Sequence, residues 1–144
     1  GSVKYAGPAD ETPLHYLGHS DAVKPAETAV EQARFWARYF GSTQSAATDA
    51  IERVGLSQRG DVPGRGLSAG QKRRLALTRL LLDPRPVWLL DEPTAALDLE
   101  GRRLVDTLVA EHRAGGGIVI AAIHGDGFAG SRTLDLAQLA KAPA

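Results

Sequence analysis

The feature that most constrains this chain is a pair of wholly apolar, strand-length runs with one amphipathic helix between them. Val87-Trp88-Leu89-Leu90 follows Pro86, and Ile118 to Ile123 follows Gly115-Gly116-Gly117. Short apolar runs bounded by Gly and Pro read as strands buried on both faces of a parallel sheet. Between them, Leu99 to His112 places Leu104, Leu108 and Val109 on one side, as a helix lying against a core does. Strand, crossover helix and strand make a βαβ unit, so the predicted class is α/β with parallel strands. Such a sheet brings whatever follows its strands to one edge, where ligands bind.

The remaining elements are read from local signals. Val3-Lys4-Tyr5 before Gly7-Pro8, and Leu14 to Leu17 before Gly18, read as short strands. From Pro25 the period becomes helical, with Ala29, Ala33, Trp36, Ala37 and Phe40 on one face and Gly41 as the stop. A second helix is predicted over Ser45–Val54, closed by Gly55. Gln58 to Gly66 reads as a loop. Ser68 is a candidate N-cap, with Gln71 completing a capping box, for a helix reaching Leu82. Thr133 to Leu136 reads as a last short strand before a small helix. The helices of residues 25–54 precede the βαβ unit with no strand between them, and so look like a helical insertion or subdomain. The 144 residues predict a single domain.

Composition removes several function classes. Lys plus Arg equals Asp plus Glu at 17 each, a balance that argues against a general nucleic-acid binder. There is no cysteine, which excludes disulfide frameworks, zinc ribbons and thiol nucleophiles. The longest apolar run has six residues, Ile118 to Ile123, against about 20 for a membrane-spanning helix. No charged start followed by an apolar stretch opens the chain, so no secretory leader is expected.

The residues able to do chemistry cluster after the predicted strands. Asp91 and Glu92 follow Val87–Leu90 directly. Asp91 is placed to hold Mg²⁺ through water, and Glu92 to polarise a water molecule. His124 follows the second apolar strand and is expected at the same edge. Leu67-Ser68-Ala69-Gly70-Gln71 opens a helix, whose free amides and positive dipole end attract a phosphate. Gly64-x-Gly66-x-x-x-Gly70 is not a dinucleotide fingerprint, because its last spacing is wrong and no strand leads into it. His15 and His19 have the spacing of a helical metal pair, but Gly18 and the strand-like context argue against one. Phe35, Trp36, Tyr39 and Phe40 form a tight aromatic group, readable either as packing or as a docking surface.

Taken together, LSAGQ at 67–71, VWLLDE at 87–92, Ala96-Leu97-Asp98 and His124 resemble the ATP-binding subunit of ABC transporters. LSAGQ is similar to the family signature, with Ala69 where Gly is usual. VWLLDE resembles Walker B, Ala96-Leu97-Asp98 the D-loop, and His124 the switch histidine. The resemblance implies a partial P-loop NTPase core with a helical subdomain and linker over about 20–66. Residues 67–144 would then carry the signature helix, Walker B, D-loop and switch region. It implies ATP and Mg²⁺ as ligands, and a head-to-tail dimer with a second ATPase subunit. Ser68, Gly70 and Gln71 would reach the γ-phosphate held by the partner, and Asp98 would link the two sites. Glu92 would act as general base or water-orienting residue, with His124 against the γ-phosphate. Integral membrane subunits would be further partners, with the helical subdomain docking on them. The site would lie at the cytoplasmic face of the bacterial inner membrane, with no nucleic acid involved.

Two departures from the family pattern matter. The phosphate loop Gly-x-x-x-x-Gly-Lys-Ser/Thr is not among these residues, since none of Lys4, Lys24, Lys72 and Lys141 follows a glycine. The chain therefore resembles the C-terminal portion of an ATPase subunit, and is expected neither to bind ATP tightly nor to hydrolyse it by itself. His19 falls at the Q-loop position, where most of the family carries Gln. With His15-Tyr16-Leu17-Gly18-His19 and Gly115-Gly116-Gly117, it is similar to the branch that serves haem export in cytochrome c maturation. Two other readings remain: a non-hydrolytic docking or dimerisation fragment, and the ABC-type head of a DNA-maintenance ATPase. The latter carries long coiled-coil arms, and no sustained heptads occur here.

Overall fold

β2 (Val87–Asp91) pairs in parallel with β1 (Leu14–Leu17) on one side and β3 (Ile118–Ala122) on the other, giving the order β1-β2-β3. The computed structural model describes residues 13–125 and 127–134. The helices are α1 (Ala29–Tyr39), α2 (Gln44–Arg53), α3 (Ala69–Leu82) and α4 (Leu99–Ala114). Short 3₁₀ turns at Ser57–Arg59 and Gly64–Gly66 punctuate the loop that leads to α3. The predicted strand at Val3–Tyr5, its Gly7-Pro8 turn and the small C-terminal helix lie outside the described residues. So do the last residues of the strand predicted at Thr133–Leu136, whose described members Thr133 and Leu134 are irregular.

Register explains which residues enter the core. His15 stands opposite Trp88, and Leu17 opposite Leu90; Trp88 and Leu90 in turn face Val119 and Ala121. His15, Leu17, Trp88 and Leu90 are buried beneath the helices, together with Leu75, Leu77 and Leu80 of α3 and Val105, Leu108 and Val109 of α4. The expectation of burial on both faces is corrected. Ile118 and Ile120 are 57% and 60% exposed, and Tyr16 of β1 is 59% exposed. Among the described residues, helices cover one face only, so the strands alternate with period two although β2 and β3 carry apolar residues on both sides. Continuous apolar sequence says that both faces suit burial, not what covers them.

The helix ends follow their caps. α1 starts at Ala29 rather than near Pro25, because Thr28 and Glu31 form a capping box. The Glu31 amide donates to Thr28 Oγ1 at 3.2 Å, and the Thr28 amide donates to Glu31 Oε2 at 2.7 Å. Residues 25–27 instead take hydrogen bonds from the 64–65 backbone, with Gly64 N–H on the Glu27 carbonyl and Arg65 N–H on that of Pro25. α1 and α2 pack on each other and on α3. Among the described residues no helix is long and apolar enough to cross a membrane.

One-sided burial has a direct consequence for this chain. Leu17→Ala should cost about 2–5 kcal/mol in urea denaturation, whereas Ile120→Thr should stay within about 0.5 kcal/mol. Equal losses at the two positions would contradict the open face.

Candidate functional site

Parallel register brings the three strand ends to one edge, and Glu92 sits in the middle of it. His124 Nε2 lies 3.1 Å from Glu92 Oε1, and His19 Nδ1 lies 3.8 Å from Glu92 Oε2. Both imidazoles are well exposed, and the carboxylate is one-third exposed. The sequence expectation that His124 emerges beside Glu92 therefore holds in space. Glu92 itself has φ +47°, a left-handed conformation uncommon outside glycine. Its amide donates to the Ala122 carbonyl at 2.8 Å, and its carbonyl accepts from the Ala95 amide at 2.9 Å. The turn is thus held from both sides, as a strained residue requires.

Asp91 ends β2 and is half-buried. Its carboxylate has no hydrogen-bond or ion-pair partner among the described residues, so it is free to meet a cation. No group of three or more acidic or His side chains among those residues could hold a metal unaided. A single strand-end carboxylate is compatible with Mg²⁺, which keeps waters and shares its shell with substrate phosphates.

One residue at this edge escaped the sequence reading. Arg73 of α3 is 2% exposed, yet charged. Its Nη1 donates to the Gly18 carbonyl and to Asp21 Oδ1, both at 2.9 Å. Its Nη2 donates to the carbonyls of Asp91 at 2.6 Å and Glu92 at 2.8 Å, and its Nε to that of Pro93 at 3.3 Å. The signal was present: Arg73, Ala76, Leu77 and Leu80 fall on one helical stripe, so this cation had to point inward.

The signature segment forms a second cluster. Ser68 Oγ accepts the Gln71 amide at 3.2 Å, and Gln71 Oε1 accepts the Ser68 amide at 3.0 Å, the capping box read from the sequence. The hydroxyl acts as acceptor there, which leaves its proton free to donate. Gly70 is required by its own chain: a Cβ there would stand 2.9 Å from the Ala96 carbonyl oxygen. Asp98 caps α4 by accepting the Gly101 amide at 2.8 Å and also takes Arg74 Nη2 at 2.8 Å. These contacts, the Gly101 amide first, hold its carboxyl below the usual carboxylate range. Ser68, Gly70, Gln71, Arg74 and Asp98 line an open groove of about 520 Å³. Glu92, His19 and His124 are not part of that groove; they belong to the strand-end cluster.

His15 and His19 do not meet. His15 points into the helix layer, with Nδ1 3.3 Å from Asp83 Oδ2 and its ring edge-on to Phe40, while His19 stands at the sheet edge. The aromatic group divides. Phe35, Trp36 and Phe40 are half-buried, with Trp36 stacked on Phe40 and the Arg79 guanidinium over the indole, whereas Tyr39 is 71% exposed.

The chain thus combines a half-open parallel α/β sheet, a capped helix start at Ser68 and a strand-end carboxylate between two histidines. Residues 5–95 match the family model described as ABC transporter, and the chain belongs to that family. It is 45% identical over 128 residues to the cytochrome c biogenesis ATP-binding export protein CcmA of Rhodopseudomonas palustris (strain BisB5), covering 86% of this chain and 64% of that protein. The CcmA of Nitrobacter winogradskyi is 48% identical over 128 residues, covering 86% of this chain and 64% of the relative, and that of Paramagnetospirillum magneticum is 47% identical over 133 residues, covering 89% and 61%. The chain thus spans less than two thirds of the length of these relatives. A dimeric ATP-binding cassette solved in a post-hydrolysis state with ADP and Pi superposes with a TM-score of 0.67 at 21% identity, over 78% of this chain and 52% of that one, which shows the fold.

His15 gives a pH prediction. Burial lowers its pKa below the ordinary 6.5, against the opposing pull of Asp83. The unfolded chain therefore binds the proton more readily than the folded one. Stability should be full above pH 6.5 and fall as pH drops from there toward the folded-state value. His15→Gln should flatten that slope in urea melts at pH 5–7, and an unchanged slope would refute the assignment.

Proposed function

We propose that this chain is part of the ATP-binding subunit of an ABC transporter, and that the transporter is the haem exporter of cytochrome c biogenesis. The observation that carries the first part is Glu92, fixed at the strand edge with His124 3.1 Å from one oxygen. A carboxylate held there, next to Asp91, suits polarising the water that attacks a γ-phosphate. The names of the relatives carry the second part, supported by His19 at the Q-loop position.

In this reading ATP and Mg²⁺ are bound ligands, with Asp91 meeting Mg²⁺ through water. Mg²⁺ supplies neutralisation of phosphate charge. Glu92 orients water, and His124 contacts the γ-phosphate. Ser68, Gly70 and Gln71, lying in a groove separate from Glu92, serve the nucleotide of a second ATPase subunit in a head-to-tail dimer. Ser68 can donate its free proton there, and the α3 N-terminus adds its positive end. Asp98, tied to both Arg74 and the Gly101 amide, joins the groove to the opposite site. Residues about 20–66 are the helical subdomain and linker, with Tyr39 on the side offered to integral membrane subunits. The complex would work at the cytoplasmic face of the bacterial inner membrane, this subunit being peripheral.

The phosphate cradle must come from residues beyond these 144, because no lysine here follows a glycine. The 144-residue chain should show no micromolar binding in a Mg-ATP titration. The same residues joined to a Gly-x-x-x-x-Gly-Lys-Ser/Thr segment should bind and hydrolyse ATP, with Ser68→Ala lowering turnover. Tight binding by the 144 residues alone, or no hydrolysis by the longer protein, would contradict the proposal.

A further inference from the structure

Arg73 lies outside the residues to which the proposed function gives a role, yet it joins more of the edge than any of them. Its guanidinium is a flat fork whose two arms reach different strands. One arm, Nη1, serves the loop after β1 through the Gly18 carbonyl and Asp21. The other, Nη2 with Nε, serves the end of β2 through the carbonyls of Asp91, Glu92 and Pro93. A buried cation is costly unless it is paired and hydrogen-bonded, and these four carbonyls and one carboxylate supply the pairing. The contacts on the Glu92 side are to backbone at the left-handed residue itself, so they fix where the carboxylate starts rather than competing for its oxygens.

The loop that Arg73 holds is anchored again at its far end. The Lys24 amide donates to Gln32 Oε1 at 2.9 Å, and Gln32 Nε2 donates to the carbonyls of Lys24 at 3.1 Å and Glu27 at 2.9 Å. Gln32 is a buried residue of α1, 3% exposed. The segment of residues 18–24 is therefore pinned at both ends, by Gln32 of α1 at Lys24 and by Arg73 at Gly18 and Asp21, and Arg73 reaches on to the Glu92 carbonyl; the chain itself joins the two anchors. His19, beside Glu92 Oε2, sits inside this span.

We propose that Arg73 is a positioning residue for Glu92, and that through Gly18, Asp21 and Gln32 it transmits the position of α1 to that carboxylate. The inference rests on the reading of Glu92 as the water-orienting group. Lysine at 73 would keep the charge but present one point in place of a fork, so it could not hold both strand ends at once.

The test uses the full-length protein in which these residues stand with a phosphate loop, with steady-state MgATP hydrolysis as the readout and melting temperature as a folding check. Arg73→Lys should lower kcat by about 10–100-fold, the scale expected for an ångström-level misplacement of a reacting group. The KM for ATP should change less than about threefold, because no phosphate contact is lost. Gln32→Ala, far from the reacting atoms, should lower kcat in the same direction by a smaller factor. Combined with Arg73→Lys it should cost nothing more, since both cut one connection. If Arg73→Lys does not fold, Gln32→Ala and Asp21→Asn carry the test with the same kcat-only loss. Unchanged kcat in the folded variants, KM rising in step with falling kcat, or multiplicative effects in the double variant would overturn the inference. No hydrolysis by the unsubstituted protein would instead remove the reading on which it rests.

Discussion

Everything at this site depends on β2 pairing in parallel on both sides. An antiparallel neighbour would have sent its following loop to the opposite edge. Here both neighbours run with β2, in a register that sets Leu17 against Leu90 and Asp91 against Ala122. The three segments that leave the sheet therefore leave together, and His19, Glu92 and His124 meet although they are far apart in the chain. The hydrophobic layer under the sheet is what makes the register costly to shift. A slip of one residue would turn Leu17, Trp88 and Leu90 outward.

Burial alone would leave the edge loosely defined, because strand ends have unpaired carbonyls. The chain meets this with a cation rather than with more apolar packing. Arg73 collects carbonyls from two strand ends in a nearly solvent-free place, where charge-assisted hydrogen bonds are strong. The same economy appears at the signature helix. Ser68 and Gln71 cap each other, and Gly70 lets the Ala96 carbonyl approach closely enough to set the segment of residues 95–98 against the helix start. Two clusters result: a strand-end site around Glu92 and a groove around Ser68 and Asp98. Their separation within one chain is what the proposed head-to-tail dimer requires.

The βαβ unit and the capping box were legible in the sequence because each depends on local pattern: apolar runs, a helical stripe, Ser68 three residues before Gln71. The change of pattern at Pro25 suggests an earlier start for α1, but the first member of the apolar period, Ala29, and the Thr28–Glu31 capping box both mark the observed one. The open face of the sheet was not legible. Ile118 and Ile120 look like core residues by composition, and only the packing of α3 and α4 on one side decides otherwise. Among candidate site residues, Glu92 and His124 are readable from strand ends and motif order, and the structure places them side by side. Arg73 was missed because arginine is ordinarily a surface residue, and its partners are backbone carbonyls that no side-chain pattern reveals.

The central claim is that the Glu92 carboxylate, placed by this sheet edge, orients the water for ATP hydrolysis. The most direct measurement is single-turnover MgATP hydrolysis by the full-length protein with Glu92→Gln, alongside nucleotide affinity. The account predicts hydrolysis slowed at least about 100-fold, in the range for loss of a positioned general base, with affinity for ATP retained. Hydrolysis within about threefold of the unsubstituted protein would contradict it and leave the strand-end cluster as architecture alone.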